Sequence, residues 1–243
     1  MKKCIPTSLH QLLATPQKSG LGDVIVTGIS TDSRSIVAGD LFIARDGINH
    51  RGVDFIELAA KAGAVAAAVE YQATAFDELA QFSIPVYQVE GLAKKAGVYA
   101  SLMWDNPSKK MTIIGVTGTN GKTSCAHYIA QALSALGQKT AVLGTVGNGF
   151  PGALSSATHT TPDAVSLQRM LADCYAQGAQ AVVMEVSSHA LDQGRVAGVE
   201  FDVVALTNLS RDHLDYHGSM DAYAAAKSQL FISAHADVQP GLV

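Results

Sequence analysis

Hydrophobic positions along the chain fall into two stretches, separated by a polar segment at 104–108 that contains an Asn-Pro pair. Proline disfavours a helical conformation in the residue before it, so a helix is predicted to end here. Apolar runs and apolar residues at helical spacing define the elements of the first stretch. The predicted strands are 40–44, 64–69 and 84–89, and the predicted helices are 55–62 and 92–103. We therefore predict a small α/β domain over residues 1–107.

The second stretch alternates strands and helices more regularly. Its predicted strands are 111–116, 140–146, 181–186 and 201–207, and its predicted helices are 122–136, 164–176 and 222–232. The strands are almost continuously apolar, which is typical of a parallel sheet covered on both faces. A second α/β domain is therefore predicted over residues 108–243.

Composition agrees with a folded protein and argues against several classes. Of the 243 residues, 48% are hydrophobic and 16% are charged, so disorder as the main state is excluded. A net charge of −4 gives no general attraction for nucleic acid. Cys4, Cys125 and Cys174 are far apart, which argues against a zinc knuckle or a disulfide framework.

Targeting signals are not evident in the sequence. Met1-Lys2-Lys3 is followed by polar residues rather than by the apolar stretch of a signal peptide. No run approaches the roughly 20 apolar residues of a membrane span. A cytoplasmic location is therefore expected.

The segment with the most chemical information is Gly115-Val116-Thr117-Gly118-Thr119-Asn120-Gly121-Lys122-Thr123. A β-branched strand leads into a glycine loop and then a helix, so backbone N–H groups and the helix dipole are expected to converge on phosphate. Lys122 is expected to reach the outer phosphates, and the Thr123 hydroxyl to hold Mg²⁺. The residues predicted to bind the nucleotide are Gly118, Thr119, Asn120, Gly121, Lys122, Thr123 and Ser124.

This loop departs from the strict G-x-x-x-x-G-K-[ST] pattern, because Val116 stands where the first glycine belongs. The alternative is an ordinary glycine-rich turn between a strand and a helix, with a chance lysine. The strand–loop–helix context and the Lys-Thr pair favour a P-loop-type domain that binds ATP or a similar nucleotide.

The loop also resembles that of the Mur ligases and of the related folylpolyglutamate synthetases. Other segments are similar, in the same order, to Mur ligases that extend UDP-N-acetylmuramoyl-L-alanyl-D-glutamate. These segments are Thr31-Asp32-Ser33-Arg34, Gly39-Asp40-Leu41-Phe42, His159-Thr160-Thr161-Pro162, Glu185-Val186-Ser187-Ser188-His189-Ala190-Leu191, Gln193-Gly194-Arg195-Val196 and Asp212-His213-Leu214-Asp215-Tyr216-His217-Gly218. Sister ligases share the loop but depart from this pattern after Glu185.

The resemblance implies an ATP- and Mg²⁺-dependent ligase of bacterial cell-wall synthesis. The D-glutamate side chain would be phosphorylated by ATP, and the amine of meso-diaminopimelate or L-lysine would attack the acyl phosphate to give an amide. A UDP-muramoyl-dipeptide and a diamino acid are thus the expected partners, without nucleic acid or a membrane span, and the full-length protein is expected to be a monomer.

Two positions are implied to hold metal besides Thr123. Glu185 follows a buried apolar run, at the sheet edge where ligands collect, and its carboxylate suits Mg²⁺. The alternative is a solvated acid at a strand end. The resemblance makes His213 a catalytic residue and a ligand of a second Mg²⁺.

An alternative for the same histidines is a zinc site formed by His213, His217 and His189. Such pairs normally lie on a helix, whereas Asp215 and Gly218 favour a loop. A zinc hydrolase is therefore disfavoured, and His217 is left with a structural role.

Lys227 has two opposed interpretations. Composition alone makes it a surface lysine on a helix. The resemblance implies that it carries a carbamate made from CO₂ and is catalytic together with Lys122, which is reasonable for a neutral amine in a partly desolvated site.

The resemblance also implies two groups of substrate-binding residues. The UDP end would lie at Thr31, Ser33, Ile48, Asn49 and His50, and the muramoyl-peptide at His159, Thr160, Thr161, Ser187, Gln193 and Arg195. Arg34 or Arg51 would assist, and the fork of Arg195 suits a carboxylate. Ordinary turn chemistry is the alternative at each first-domain position.

Compared with a three-domain ligase, the chain is short. We expect an incomplete central sheet, no C-terminal domain for the incoming amino acid, and no amide product from this chain alone. The first domain is expected to fold alone and to survive proteolysis as a fragment ending near Asn106. Rival functions are a sister ligase, adding D-alanyl-D-alanine or poly-γ-glutamate, and a non-catalytic nucleotide-binding module.

Overall fold

The structure, a computed structural model, describes residues 4–13, 23–47, 50–71, 76–157 and 159–235, with backbone only at 76–77 and 233–235. The first part of the chain contains strands β1 Thr7–Ser8, β2 Ile25–Val26, β3 Gly28–Ser30, β4 Asp40–Ala44, β5 Ala66–Glu70 and β6 Val86–Val89. Its helices are α1 Leu9–Leu13, α2 Ile56–Ala62, α3 Phe76–Leu79 and α4 Leu92–Met103, with 3-10 turns at Ser33–Ser35 and Gly52–Phe55. Strands β3 to β6 form a parallel four-stranded sheet in sequence order.

The second part begins after a break that the sequence predicted. Asn106 adopts a left-handed conformation, which asparagine tolerates, and Pro107–Lys110 forms a 3-10 turn. The strands that follow are β7 Thr112–Thr117, β8 Thr140–Gly144, β9 Gly147–Phe150, β10 Ala153–Ser155, β11 Ala181–Glu185 and β12 Val203–Leu206. The helices are α5 Lys122–Ala135, α6 Ala164–Ala176, α7 Ser188–Asp192, α8 Leu214–His217 and α9 Met220–His235.

The second sheet is mixed rather than purely parallel. Its order is β10-β9-β8-β11-β7-β12, and the last four strands are parallel as predicted, whereas the β9–β10 hairpin pairs antiparallel with β8. The strand predicted to reach Val146 ends at Gly144. It ends there because the Thr145 N–H donates to Glu185 Oε1 at 2.8 Å instead of continuing the ladder.

Helix α6 packs against both sheets. Val165 and Ala172 belong to the first hydrophobic core, whereas Leu167 and Leu171 belong to the second. The core of the first sheet therefore includes side chains from beyond residue 107. A fragment that ends near Asn106 would lack them, which counts against the expectation that it folds alone.

At one edge of the second sheet, β12 pairs with β7 on one side only, within the residues that the structure describes. Val203 and Leu206 are each about half exposed, at 50% and 47%. This edge of the sheet is therefore partly apolar within the described residues. Among the described residues, no helix is both long and apolar enough to cross a bilayer.

Gly97 sets the distance between α4 and the turn after α7. A Cβ at this position would lie 2.2 Å from the Ala197 carbonyl oxygen and 3.2 Å from the Ala164 Cβ. We predict that Gly97→Ala lowers stability by about 1–3 kcal/mol, although alanine favours helix, because the added methyl overpacks the contact. Thermal unfolding measures the effect. Lys95→Ala on the exposed side of α4 is the control and should change little; equal melting temperatures for the two variants would contradict the prediction.

Candidate nucleotide and substrate site

The loop between β7 and α5 has the geometry of a phosphate-binding loop. Gly118 has φ +142° and Gly121 has φ +83°, so both adopt conformations that favour glycine. A Cβ on Gly118 would also lie 1.9 Å from Thr207 Oγ1. The helix begins at Lys122, as predicted, and its first-turn amides point out of the helix toward the loop.

The segment after β12 fixes the conformation of this loop. The Asn208 side chain accepts from the Asn120 N–H at 3.1 Å and donates to the Asn120 carbonyl at 3.0 Å. The Thr119 N–H donates to the Asn208 carbonyl at 3.0 Å, and the Thr207 hydroxyl donates to the Asn120 carbonyl at 2.6 Å. The amides of Thr119 and Asn120 thus hold the loop, and the amides of the first turn of α5, which includes Ser124, are left to face a phosphate.

Sequence reasoning missed Thr207 and Asn208. A signal was available, because both follow β12, and β12 is the parallel neighbour of the strand that carries the loop. The carboxyl ends of neighbouring parallel strands meet at one edge of the sheet.

Lys122 folds back over the loop. Its Nζ donates to the carbonyls of Gly118 at 2.8 Å and Thr119 at 3.0 Å. Burial lowers the pKa of Lys122, and the negative charges of Glu185 and Asp212 oppose that shift. The ammonium group is therefore centred over the backbone that would surround a phosphate.

Glu185 is 1% exposed at the carboxyl end of β11, so the alternative of a solvated strand-end acid is wrong. Its carboxylate accepts from the Thr123 hydroxyl at 2.9 Å, from the Thr145 N–H at 2.8 Å and from the Thr145 hydroxyl at 3.2 Å. Carboxylate and hydroxyl oxygens fit a hard cation such as Mg²⁺, which usually keeps waters and substrate phosphates as its other ligands. Thr123 and Glu185 together would supply the protein's share of such a site.

Lys227 is 3% exposed, so its interpretation as a surface lysine is wrong. Its Nζ donates to the Gly118 carbonyl at 2.9 Å and lies 4.6 Å from the centroid of the Tyr223 ring. Burial, and secondarily the charge of Lys122, lower the pKa of Lys227 to about 8, against the pull of Asp212. The amine is therefore neutral far more often than that of an exposed lysine.

The histidines of the second segment lie together. The His189 ring is 4.8 Å from that of His213 and 5.5 Å from that of His217, and His217 Nε2 is 3.0 Å from Ser188 Oγ. The predicted loop is partly wrong, since residues 214–217 form a short helix capped by His213 at φ +52°. Within the described part of the chain, no group of three or more His, Cys, Asp or Glu side chains is arranged to hold a metal ion.

The residues assigned to the muramoyl-peptide meet next to Glu185. The Thr161 hydroxyl donates to the Glu185 carbonyl at 2.9 Å and accepts from the Ser187 N–H at 3.1 Å. Arg195 donates to the Thr161 carbonyl at 3.1 Å and to Gln193 Oε1 at 2.9 and 2.6 Å. Burial lowers the pKa of Arg195. The guanidinium is thus held at the edge of the same site.

Thr160 belongs to this group as well, because its hydroxyl oxygen lies 3.0 Å from that of Thr145. His159 is exposed.

The described residues among those assigned to the UDP end lie at the carboxyl edge of the first sheet. The Thr31 hydroxyl donates to Asp163 Oδ1 at 3.3 Å, which connects this edge to the start of α6. Ser33 is buried, and the His50 ring lies against Phe55 at 6.1 Å. Ile48 and Asn49 fall outside the described residues.

The possible helpers Arg34 and Arg51 are paired within the first segment, with Asp32 at 2.7 Å and with Glu78 at 3.8 Å. Residues of β3 and α6 line a cavity of about 740 Å³, and Thr31, Asp163 and Arg169 are among them.

A phosphate-type loop at the carboxyl edge of a parallel sheet, with a buried carboxylate on the adjacent strand, defines an α/β protein of the nucleotide-binding class. Comparison with models of protein families identifies the family within this class. The model of the Mur ligase middle domain matches residues 116–239, and that of the Mur ligase family catalytic domain matches residues 25–102. The chain belongs to the Mur ligase family.

Several relatives are similar over most of this chain. It is 49% identical over 234 residues to the UDP-N-acetylmuramoyl-L-alanyl-D-glutamate--2,6-diaminopimelate ligase of Coxiella burnetii, and 48% identical over 227 residues to that of Pseudomonas aeruginosa. These alignments cover 96% and 93% of this chain and 46% and 45% of the relatives. The chain therefore spans a little under half the length of the curated relatives it matches.

A solved structure with the same enzyme name superposes with a TM-score of 0.79 at 33% identity, covering 94% of this chain and 45% of the other. The MurF ligase from Thermotoga maritima, in complex with ADP, superposes with a TM-score of 0.55 at 21% identity, which supports the fold alone.

Gly144 makes room for Glu185. A Cβ at position 144 would lie 2.1 Å from Glu185 Oε1 and 2.8 Å from its carboxyl carbon. We predict that Gly144→Ala destabilises the protein by about 1–3 kcal/mol, because a buried carboxylate would have to leave its donors. Urea unfolding measures the loss, and Gly47→Ala, whose Cβ would meet no atom closer than 4.0 Å, is the control.

The same measurement in a Glu185→Ala background identifies the cause. The cost of Gly144→Ala should fall there, because the clashing carboxylate is gone. An unchanged cost in that background would show that the clash is not with Glu185.

Proposed function

We propose that this chain supplies the UDP-sugar-binding and ATP-binding parts of a ligase that adds meso-diaminopimelate or L-lysine to UDP-N-acetylmuramoyl-L-alanyl-D-glutamate. Residues 1–107 would form the UDP-sugar domain and residues 108–243 the ATP-binding domain. The reaction would take place in the cytoplasm, in a monomer. The similarity to the two diaminopimelate ligases, at 49% and 48% identity, supports the choice of acceptor.

The observation that carries the proposal is the convergence of three side chains at the phosphate loop. Lys122 and Lys227 both donate to the Gly118 carbonyl, at 2.8 and 2.9 Å, and Glu185 accepts from Thr123 at the start of α5. Lys122 provides a cation for the phosphates and Glu185 an anion for their metal, which are the charges that phosphoryl transfer requires, and Lys227 places an amine that can add CO₂ beside the same loop.

In the proposed reaction, first-turn amides of α5 and the Lys122 ammonium bind the outer phosphates of ATP. Thr123 and Glu185 would hold Mg²⁺, which when bound supplies positive charge that offsets the charge on the transferred phosphoryl group. The positive φ angles of Gly118 and Gly121 curve the loop so that its backbone can surround a phosphate.

The D-glutamate side chain must lie in line with the γ-phosphate. Arg195 is suited to hold a second carboxylate of the dipeptide, because its fork is oriented by Gln193 and Thr161 next to Glu185. Thr31 and the first turns of α6 line the cavity of about 740 Å³, where a nucleotide-sugar has room. The acyl phosphate would then be attacked by the amine of the diamino acid, which releases phosphate and forms the amide.

We predict that Lys122→Ala abolishes measurable nucleotide binding, because the loop loses the cation that faces the phosphates. Calorimetry with a nonhydrolysable ATP analogue and Mg²⁺ measures the affinity. Lys139→Ala is the matched control, since Lys139 donates to the Gln177 carbonyl away from the loop. Unchanged affinity in Lys122→Ala would reject the phosphate-loop assignment.

The ligase activity itself is tested on the protein expressed from its complete reading frame. UDP-muramoyl-dipeptide, ATP and either diaminopimelate or L-lysine should give amide and phosphate in equal amounts. Turnover with UDP-muramoyl-tripeptide and D-alanyl-D-alanine instead would identify a sister ligase, and nucleotide binding without any turnover would identify a non-catalytic module.

We predict that Lys227 takes up CO₂ with a midpoint near pH 8. Only the neutral amine adds CO₂, and the pKa is lowered from 10.5 to about 8, so the neutral fraction rises roughly tenfold between about pH 7 and pH 9. In a fixed amount of bicarbonate, dissolved CO₂ falls in proportion to the proton concentration. Carbamate formation also releases one proton, so these two effects of pH cancel. The amount of carbamate is therefore proportional to the amount of neutral Lys227 amine.

Carbon-13 NMR in labelled bicarbonate detects the carbamate, and the signal should level off above about pH 9 and be missing in Lys227→Arg. A signal that keeps rising toward pH 10.5, as for an exposed lysine, would contradict the assignment. In the complete protein, Lys227→Ala should lose ligase activity and regain part of it with added short carboxylates.

A further inference from the structure

Helix α9 presents two side chains, one helical turn apart, to consecutive residues of the phosphate loop. Lys227 donates to the Gly118 carbonyl, and the hydroxyl of Tyr223 lies 3.1 Å from Thr119 Oγ1. Tyr223 is 0% exposed, the largest of the fully buried side chains of the described residues. Its hydroxyl is therefore directed at the loop from within the core.

The Thr119 hydroxyl is the point where three segments meet. It accepts from the Ser210 N–H at 3.0 Å and donates to the Ser210 carbonyl at 3.2 Å. Since a hydroxyl has one proton and two lone pairs, the Tyr223 hydroxyl completes the set by donating to the second lone pair. Thr119 is 8% exposed, so water cannot readily replace a lost partner.

We infer that Tyr223 is a positioning residue for the nucleotide site, acting through Thr119. The inference rests on the proposed nucleotide-binding function and goes beyond it. Thr119 and Gly118 supply the two carbonyls that hold Lys122 Nζ, at 3.0 and 2.8 Å. The Tyr223 hydroxyl holds Thr119 in place from the core side. It therefore also holds in place the carbonyl oxygens that orient Lys122.

The ring of Tyr223 has a second role that its hydroxyl does not share. It lies 4.6 Å below Lys227 Nζ and 5.3 Å from the His217 ring. Phenylalanine keeps these ring contacts and removes only the hydroxyl, so Tyr223→Phe isolates the bond to Thr119. The substitution at the other end is Thr119→Val, which keeps the shape and removes the acceptor.

The experiment is a double-mutant cycle on the affinity for a nonhydrolysable ATP analogue with Mg²⁺, measured by calorimetry on this chain. Tyr223→Phe should weaken binding roughly three- to tenfold, which corresponds to one neutral hydrogen bond. Thr119→Val should weaken binding at least as much, and Thr119→Ser should restore it. The double variant should be no weaker than Thr119→Val alone, because the two substitutions remove the same bond.

Tyr99→Phe is the matched control, since Tyr99 is 5% exposed in the core of the first sheet, away from the loop. It should leave nucleotide affinity unchanged, whatever it does to the melting temperature. Should Tyr223→Phe fail to fold, Thr119→Val and Thr119→Ser still report on the bond.

Three results overturn the inference. Affinity equal to the original chain in Tyr223→Phe shows that the hydroxyl only supports the fold. Strictly additive effects of Tyr223→Phe and Thr119→Val show that they act separately. An original chain that binds no nucleotide at all rejects the proposed function itself, and the inference with it.

Discussion

The site depends on one buried carboxylate. Glu185 ends a central strand at 1% exposure, and three donors from Thr123 and Thr145 satisfy it. Leaving such a charge without partners would cost several kcal/mol, so the start of α5 and the end of β8 are both held against β11. The same requirement excludes any side chain at Gly144 and ends the β8 strand. The residues at this sheet edge are therefore arranged so that the buried carboxylate keeps its hydrogen-bond donors. The same arrangement brings together oxygen atoms that could bind a cation.

Much of the second segment was predictable because its sequence pattern is local. The strands are apolar throughout, and the helix start at Lys122 follows a glycine loop with recognisable spacing. The β9–β10 hairpin was missed because its strands have only four and three residues and β9 contains two glycines, and because strand β8 ends through a contact with Glu185, which is 40 residues away in sequence. Long-range contacts of that kind leave no periodic signal. The first segment was predicted well where apolar runs are continuous, as in Asp40–Ala44.

The residues of the candidate site also divide into those that a local sequence pattern predicts and those that depend on long-range packing. The phosphate loop could be found from spacing, and the resemblance identified Lys227 although its composition suggested a solvated lysine. Its burial comes from the packing of α9 under the loop, which no local pattern reveals. Asn208 and Tyr223 were missed for a related reason, since an asparagine after a strand and a tyrosine in an alanine-rich helix are ordinary. Only the parallel pairing of β12 with β7 gives Asn208 its neighbours.

The position of α6 has a mechanical consequence. Val165 and Ala172 pack in one core and Leu167 and Leu171 in the other, so α6 contributes to both hydrophobic cores. Rotating one sheet against the other would expose apolar surface on both faces of α6, and the close packing of protein interiors opposes such a movement. The two sheets should therefore move as one rigid unit. The cavity beside α6 should therefore keep its width when either sheet moves.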